Sequence, residues 1–427
     1  MKKAIVFKFG GASIKDALSI INLSDLLLNR LRNNHILVIS ALGKTTNALE
    51  NILNIKILNE NYSLYFHILK DSHYKICEAL FPKSHPIFSI LENMFLELNK
   101  VLEQNLTSEN YDEAYDQIIP FGELLSSKIV HEFLCLQGII CIWKDAREFI
   151  TTNSDYRAAK VDWKKTKAQC EKHLAHTAIE YPVITQGFIG RDPKGKTTTL
   201  GREGSDFTAA IIAASLEASS VTIWKDVEGV LNADPKRFSE TIKFDQIDYK
   251  EAAELTFYGA SVIHPKTIKP LANLNIPLYV KSFLNPDASG TKIYRCEQPI
   301  EAPCFVIKDK QVLISLKIPD FTFISETHLS LAFSTLEKLK LNVNIIQQSA
   351  ISLTLIIDEQ PFKTEQLIQL LSKSFNIKYN VGLTLLTIKN HRLVNLKSIK
   401  KNHEILLEQK TRSTYQMIYK ENHEFST

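Results

Sequence analysis

The sequence predicts a mostly parallel α/β sheet clothed by helices on both faces, followed by a separate α+β unit. Three observations carry that reading. Short apolar runs recur at 4–7 (AIVF), 35–40 (HILVIS), 138–143 (GIICIW), 181–187 (YPVITQG), 220–225 (SVTIWK) and 276–281 (IPLYVK), with helical patterns between them. Strands apolar on both faces that alternate with helices make a parallel sheet covered on both sides. Between about 47 and 134, ALENILNIKIL, FSILENMFLELNKVLEQNL and GELLSSKIVHEFLCL repeat apolar residues at helical spacing, so a helical insertion is expected there. After 304 the order becomes β-α-β-β-α-β, the ferredoxin-like unit.

A chain of 427 residues is too long for one ordinary core. The expected division is 1–300 and 305–427, because 282–304 holds three of the fourteen prolines and a turn. Hydrophobic content of 44% and charged content of 23% are globular values. Fifty-one Lys and Arg against forty-seven Asp and Glu give +4, and no basic run is interleaved with aromatics, so nucleic acid is not an expected partner. MKKAIVFKFGG has too few apolar residues before Lys8 for a signal peptide, and no later stretch reads as a membrane span. A cytoplasmic protein is expected. Its six cysteines (Cys77, Cys135, Cys141, Cys170, Cys296, Cys304) contain no C-x-x-C pair, and none of twelve histidines forms H-E-x-x-H. Reduced thiols and no metal site are therefore expected.

Taken in order, AIVF forms a strand that Gly10 and Gly11 break, and Ser13 with Asp16 caps a helix running to about Leu31. Strand, glycine turn and helix N-terminus offer backbone N–H groups to an anion, and Lys8 points its ammonium the same way. The usual phosphate loop carries its lysine after the glycines. GRDPKGKT (190–197) fits that pattern by letter, but Asp192-Pro193-Lys194-Gly195 is a turn and KTTTL is strand chemistry, so a hairpin is expected. TLGREGSD (199–206) places Arg202, Ser205 and Asp206 at a helix N-terminus, suited to an anionic substrate. WKDVEGVLNADPK (224–236) follows a strand, where α/β enzymes bind ligands. Glu123 falls in the first turn of a helix, and His264 beside a proline reads as structural. In the C-terminal unit, strand 310–318, helix 326–341, strand pair 342–358, helix 362–375, strand 376–389 and a hairpin at 404–420 are expected.

Six stretches in order, KFGGAS (8–13), SALGKTTN (40–47), FGELLSS (121–127), TLGREGSD (199–206), WKDVEGVLNADPK (224–236) and EAAELTFYGASVIHPKT (251–267), resemble aspartate kinase. The resemblance spans the first 300 residues, and the last 120 resemble that family's regulatory ACT region. It implies a three-layer αβα amino-acid-kinase fold, ATP with Mg2+, and phosphorylation of the aspartate β-carboxylate. It also implies roles. Lys8 meets the transferring γ-phosphoryl group, Gly10 and Gly11 let backbone approach the phosphates, and Asp206 holds Lys8. Arg202 grips the α-carboxylate of aspartate, Glu123 takes its α-ammonium and Thr46 hydrogen-bonds it. Lys225, Asp226, Leu231, Lys236 and Ser261 line the nucleotide. ACT units of this family pair across subunits, which implies a homodimer.

Two departures qualify the resemblance. The family often has lysine where this chain has Ser261 and threonine where it has Lys225, so the nucleotide-facing charge is expected to have moved to Lys225. In lysine-inhibited relatives the stretch matching NVNIIQQSAIS carries acidic residues, where this chain has Asn344 and Ala350. With a shortened second ACT unit, weak or absent lysine inhibition is expected. The competing expectations are another enzyme of the same fold, such as a glutamate 5-kinase, and a non-catalytic ACT amino-acid sensor.

Overall fold

The first apolar run becomes strand β1 (Ile5–Phe9), which pairs in parallel with β2 (His35–Ile39). The computed structural model describes residues 3–259, 263–297, 300–320, 322–401 and 403–420. Further along lie β3 (Ile142–Trp143), β4 (Val183–Gln186), β5 (Ile189–Arg191), β6 (Thr197–Thr199), β7 (Ser220–Lys225), β8 (Gln246–Asp248), β9 (Leu278–Ser282) and β10 (Thr291–Tyr294). Eight of these make one sheet in the order β3-β4-β2-β1-β7-β9-β10-β8, parallel throughout except for the β9–β10 pair. β5 and β6 pair as the expected hairpin, so GRDPKGKT is a turn and not a phosphate loop.

Helices cover the strands. Asp16 alone caps α1 (Ala17–Arg30), accepting from the Ser19 backbone at 2.8 Å, while Ser13 lies in a preceding short 3-10 turn. The helical insertion comprises α2 (Thr45–Ile57), α3 (Ser63–Leu80), α4 (Ile87–Leu102), α5 (Tyr111–Ile118) and α6 (Phe121–Leu136). Their buried faces, with Leu49, Ile52, Leu91, Phe95, Leu98 and Ile129, join the core under β1 and β2. Then come α7 (Trp163–Cys170), α8 (His176–Glu180), α9 (Gly204–Ser215), α10 (Tyr249–Tyr258) and α11 (Pro265–Asn273). His264 caps α11 by accepting from the Lys266 backbone.

Three strand expectations change. The run 138–143 pairs only at Ile142–Trp143, because the helix end and its turn take up the residues before it. β8 and β10 extend the sheet where no strand was expected, β10 inside the Pro-rich stretch.

The chain divides into two compact units: the described residues of 1–230, 243–253 and 261–299, and those of 231–242, 254–260 and 300–427. Residues 231–242 thus group with the C-terminal sheet, not the N-terminal one. The Phe238 ring lies 5.1 Å from that of Phe305, Asn232 bonds the Pro303 carbonyl and Arg237 pairs with Asp309. That second unit holds β11 (Cys304–Lys317), α12 (Glu326–Lys338), β12 (Val343–Gln348), β13 (Ser352–Asp358), α13 (Pro361–Leu371), β14 (Asn376–Lys389), β15 (Glu404–Lys410) and β16 (Thr414–Lys420). Its six antiparallel strands form one sheet, β12-β13-β11-β14-β16-β15, so the terminal hairpin extends the same sheet. No helix among the described residues is long and apolar enough to cross a membrane.

Candidate functional site

A cleft of about 540 Å³ opens in the first unit at the carboxyl ends of β1, β2 and β7, where ligands of parallel α/β sheets bind. Lys8 sits in register between Val38 of β2 and Ile223 of β7, with only 7% of its surface exposed. A buried ammonium needs a partner. Asp206, in the first turn of α9, supplies it at 2.7 Å. Lys225, at the end of β7, reaches the other Asp206 oxygen at 3.7 Å. One buried carboxylate thus holds two ammonium groups at the head of the cleft.

The glycines earn their positions by contact rather than by φ. A Cβ on Gly10 would meet the Lys8 ammonium at 3.3 Å, and one on Gly11 would stand 2.9 Å from the Ala41 carbonyl. Side chains at either place would push the loop off the lysine or off the strand beside it. Gly11 also accepts from Gly43 N–H at 3.3 Å, which ties the loops after β1 and β2 together.

Glu123 is another buried ionisable group. It lies in the first turn of α6, and the Ala41 N–H donates to its Oε1 at 3.3 Å. Its Oε2 is buried with no hydrogen-bond partner. Burial pushes the carboxyl up to about 8, against the pull of the Ala41 N–H and the Lys8 charge. An orphaned carboxylate oxygen on a cleft wall fits a ligand that brings its own cation.

Thr46, half-buried in the first turn of α2, and exposed Arg202 also line the cleft. So of the residues expected at the site, Lys8, Gly11, Thr46, Glu123, Arg202, Asp206 and Lys225 come together. Gly10 adjoins Lys8 without forming the wall. Asp226 is exposed just beyond β7 and is not part of the lining. Leu231 and Lys236 lie in the segment that groups with the second unit. Ser261 is outside the described residues.

Sequence reasoning missed Tyr115, Arg157, Phe188 and Glu203, which also line the wall. Glu203 takes a left-handed backbone (φ 54°), and burial raises its carboxyl above the ordinary range while Lys225 opposes this. Such a backbone is costly for a non-glycine residue and marks a constrained turn. Arg157 is also left-handed (φ 67°). Its N–H donates to Asp116 at 3.0 Å, and its guanidinium lies 4.7 Å over the Tyr115 ring. Only the left-handed backbones signal these two residues, and those are invisible in the letters.

Residues 3–282 match the Amino acid kinase family. The lysine-sensitive aspartokinase 3 of Escherichia coli is 31% identical over 401 residues, covering 91% of this chain and 87% of the relative. The chloroplastic aspartokinase 1 of Arabidopsis thaliana is 32% identical over 375 residues, 85% of this chain and 65% of that one. The crystal structure of E. coli aspartokinase III in complex with aspartate and ADP (R-state) superposes with a TM-score of 0.84 at 28% identity, covering 98% and 96% of the two chains.

Proposed function

From the premise that this chain belongs to the amino acid kinase family, and within it to the aspartokinases, we propose how its cleft works. The enzyme is an aspartate kinase: it transfers the γ-phosphoryl group of ATP to the β-carboxylate of L-aspartate, giving 4-phospho-L-aspartate. In this family that step opens lysine, threonine and methionine synthesis. A carboxylate is already ionised at neutral pH, so the chain supplies no base. An oxygen of the β-carboxylate forms the new P–O bond as the bond to the β,γ-bridging oxygen breaks and its electron pair leaves on ADP. What the protein contributes is position and charge.

The supporting observation is the Lys8–Asp206 pair beside a buried Glu123 whose Oε2 is unpartnered. Lys8 neutralises charge gathering on the transferring group, and Asp206 fixes it there. Glu123 receives the substrate's α-ammonium, which restores the charged carboxylate that burial disfavours. Arg202 grips the α-carboxylate in two-pronged fashion, and Thr46 hydrogen-bonds the substrate. Lys225 stands on the nucleotide side, with Asp226, Leu231, Lys236 and Ser261 assigned there by the resemblance. Mg2+ would neutralise the phosphate oxygens, and Glu203, whose Oε2 is buried without a partner, is the residue fitted to hold it. Assembly as a homodimer through residues 305–427 is part of the same reading, and light scattering at known concentration tests it.

The test of function is a coupled assay for ADP release with aspartate, glutamate and N-acetylglutamate. Turnover of aspartate alone is expected. Equal turnover of glutamate would assign the cleft to another acid.

A further inference from the structure

At the far end of α6 from Glu123, three side chains of the kinds that ligate metals meet, outside the cleft. His131 and Cys135 are four residues apart and so share a helix face. Cys141 returns to them because the helix ends in a left-handed glycine. Gly138 (φ 81°) donates to Cys135 O at 3.0 Å and Ile139 donates to Leu134 O at 2.9 Å, the paired bonds that reverse a chain at a helix terminus. The reversal sets Cys141 Sγ 3.9 Å from Cys135 Sγ, and Cys135 Sγ 3.7 Å from His131 Nε2. The three ligand atoms lie within 4.8 Å of one another. This corrects the expectation, drawn from spacing alone, that the cysteines form no metal-like grouping.

We propose that His131, Cys135 and Cys141 bind a thiophilic divalent cation of the zinc class. Zinc bonds sulfur at about 2.3 Å and imidazole nitrogen at about 2.0–2.1 Å, so a tetrahedral site separates two sulfurs by about 3.8 Å and sulfur from nitrogen by about 3.6 Å. Both observed gaps are within a few tenths of an ångström of those values. A disulfide would instead need the sulfurs to close to about 2.05 Å. Glu132 Oε1 lies 3.1 Å from His131 Nδ1, the outer carboxylate that zinc-bound imidazoles commonly carry. His131 Nε2 also lies 3.2 Å from the Cys141 carbonyl. On binding, its proton moves to Nδ1 and is held by Glu132, the two thiols release theirs, and Nε2 offers its lone pair to the metal. Cys135 is exposed, so the fourth position is open to water. The cation would tie the end of α6 to β3, the edge strand of the sheet.

The test uses the full chain, reduced and stripped with a chelator. It is titrated with Zn2+ against a chromophoric competitor, and with Co2+ for its spectrum. One equivalent of Zn2+ is expected, with a thiolate-to-cobalt charge-transfer band, tetrahedral visible bands and a melting temperature that rises with Zn2+. Cys135→Ser, at an exposed position, should abolish all four while circular dichroism stays unchanged. Cys296→Ser should leave them intact, and Glu132→Gln should cost about 10–100-fold in affinity. Absence of Zn2+ uptake, a Co2+ spectrum that survives Cys135→Ser, or a Cys135–Cys141 disulfide in a chain that binds no Zn2+ when reduced would each overturn the proposal.

Discussion

The cleft of the first unit and the polar cluster of the C-terminal sheet both hold charged groups among strands, yet they are finished differently. In the cleft, Glu123 keeps a buried oxygen with no partner. In the second unit, both polar atoms of the Asn344 side chain are already hydrogen-bonded. Its amide donates to Gln311 at 2.7 Å and to Asp358 at 2.9 Å, and its oxygen accepts from Lys308 at 2.8 Å. Gln311 closes the ring by donating to Asp358 at 2.9 Å. A buried polar group left open is costly until a ligand arrives, whereas a closed network resists one. The first pattern suits a substrate site, and the second suits a sheet that is stable without an effector.

The strongest way to break this contrast is Lys8→Ala. It removes the charge at the transferring group and leaves Asp206 with only the more distant Lys225. Loss of one such preorganised charge is worth about 10²–10³ in kcat, measured as steady-state ADP release with folding checked by circular dichroism. A variant retaining near-normal kcat would show that Lys8 merely balances Asp206.

Glu123→Gln sharpens the contrast through pH. The wild-type carboxyl titrates near 8 in the folded chain against an ordinary 4.5, so the folded state holds a proton that the unfolded chain has released. The stability this proton supplies is complete below pH 4.5 and is lost as pH rises through 8. The melting temperature of Glu123→Gln, relative to wild type, should therefore improve between those limits. Aspartate needs the ionised form, so its KM in the wild type should fall as pH climbs towards 8, and the variant should lose that dependence. A wild-type KM flat over this range would contradict the assignment.

Lys225→Ala should raise the KM for ATP by about 10–100-fold, one charge-assisted contact being worth about 1.5–3 kcal/mol, and leave the KM for aspartate nearly unchanged. An unaltered KM for ATP would return the nucleotide charge to another residue. The smallest effect is expected from free lysine, since at Asn344 its amines would meet an amide already bonded to Lys308, Gln311 and Asp358 and not a carboxylate. Rate measured against lysine concentration should be almost level, and inhibition at micromolar lysine would show that the C-terminal sheet opens after all.

Much of this was legible in the letters, and for a physical reason. Lys8, Thr46, Glu123 and Asp206 each sit at a strand end or helix first turn, and Arg202 in the turn leading into α9, features that local composition marks. Arg157 and Phe188 were not legible because their left-handed backbones are set by packing. β10 was hidden by its neighbouring prolines and glycine, although Ile293 is fully buried. The His131–Cys135–Cys141 cluster was hidden differently: its two halves are joined by the turn at Gly138, so spacing along the chain says little about spacing in the fold.

The central claim is that the cleft carries a buried carboxyl, Glu123, that ionises against an amino acid's ammonium group. Hydroxylamine trapping of the acyl phosphate, with aspartate and N-acetylaspartate offered separately beside ATP, tests it most directly. Hydroxamate should form from aspartate and not from the acetylated acid, whose amide brings no cation to Glu123. Comparable hydroxamate from both would contradict the account.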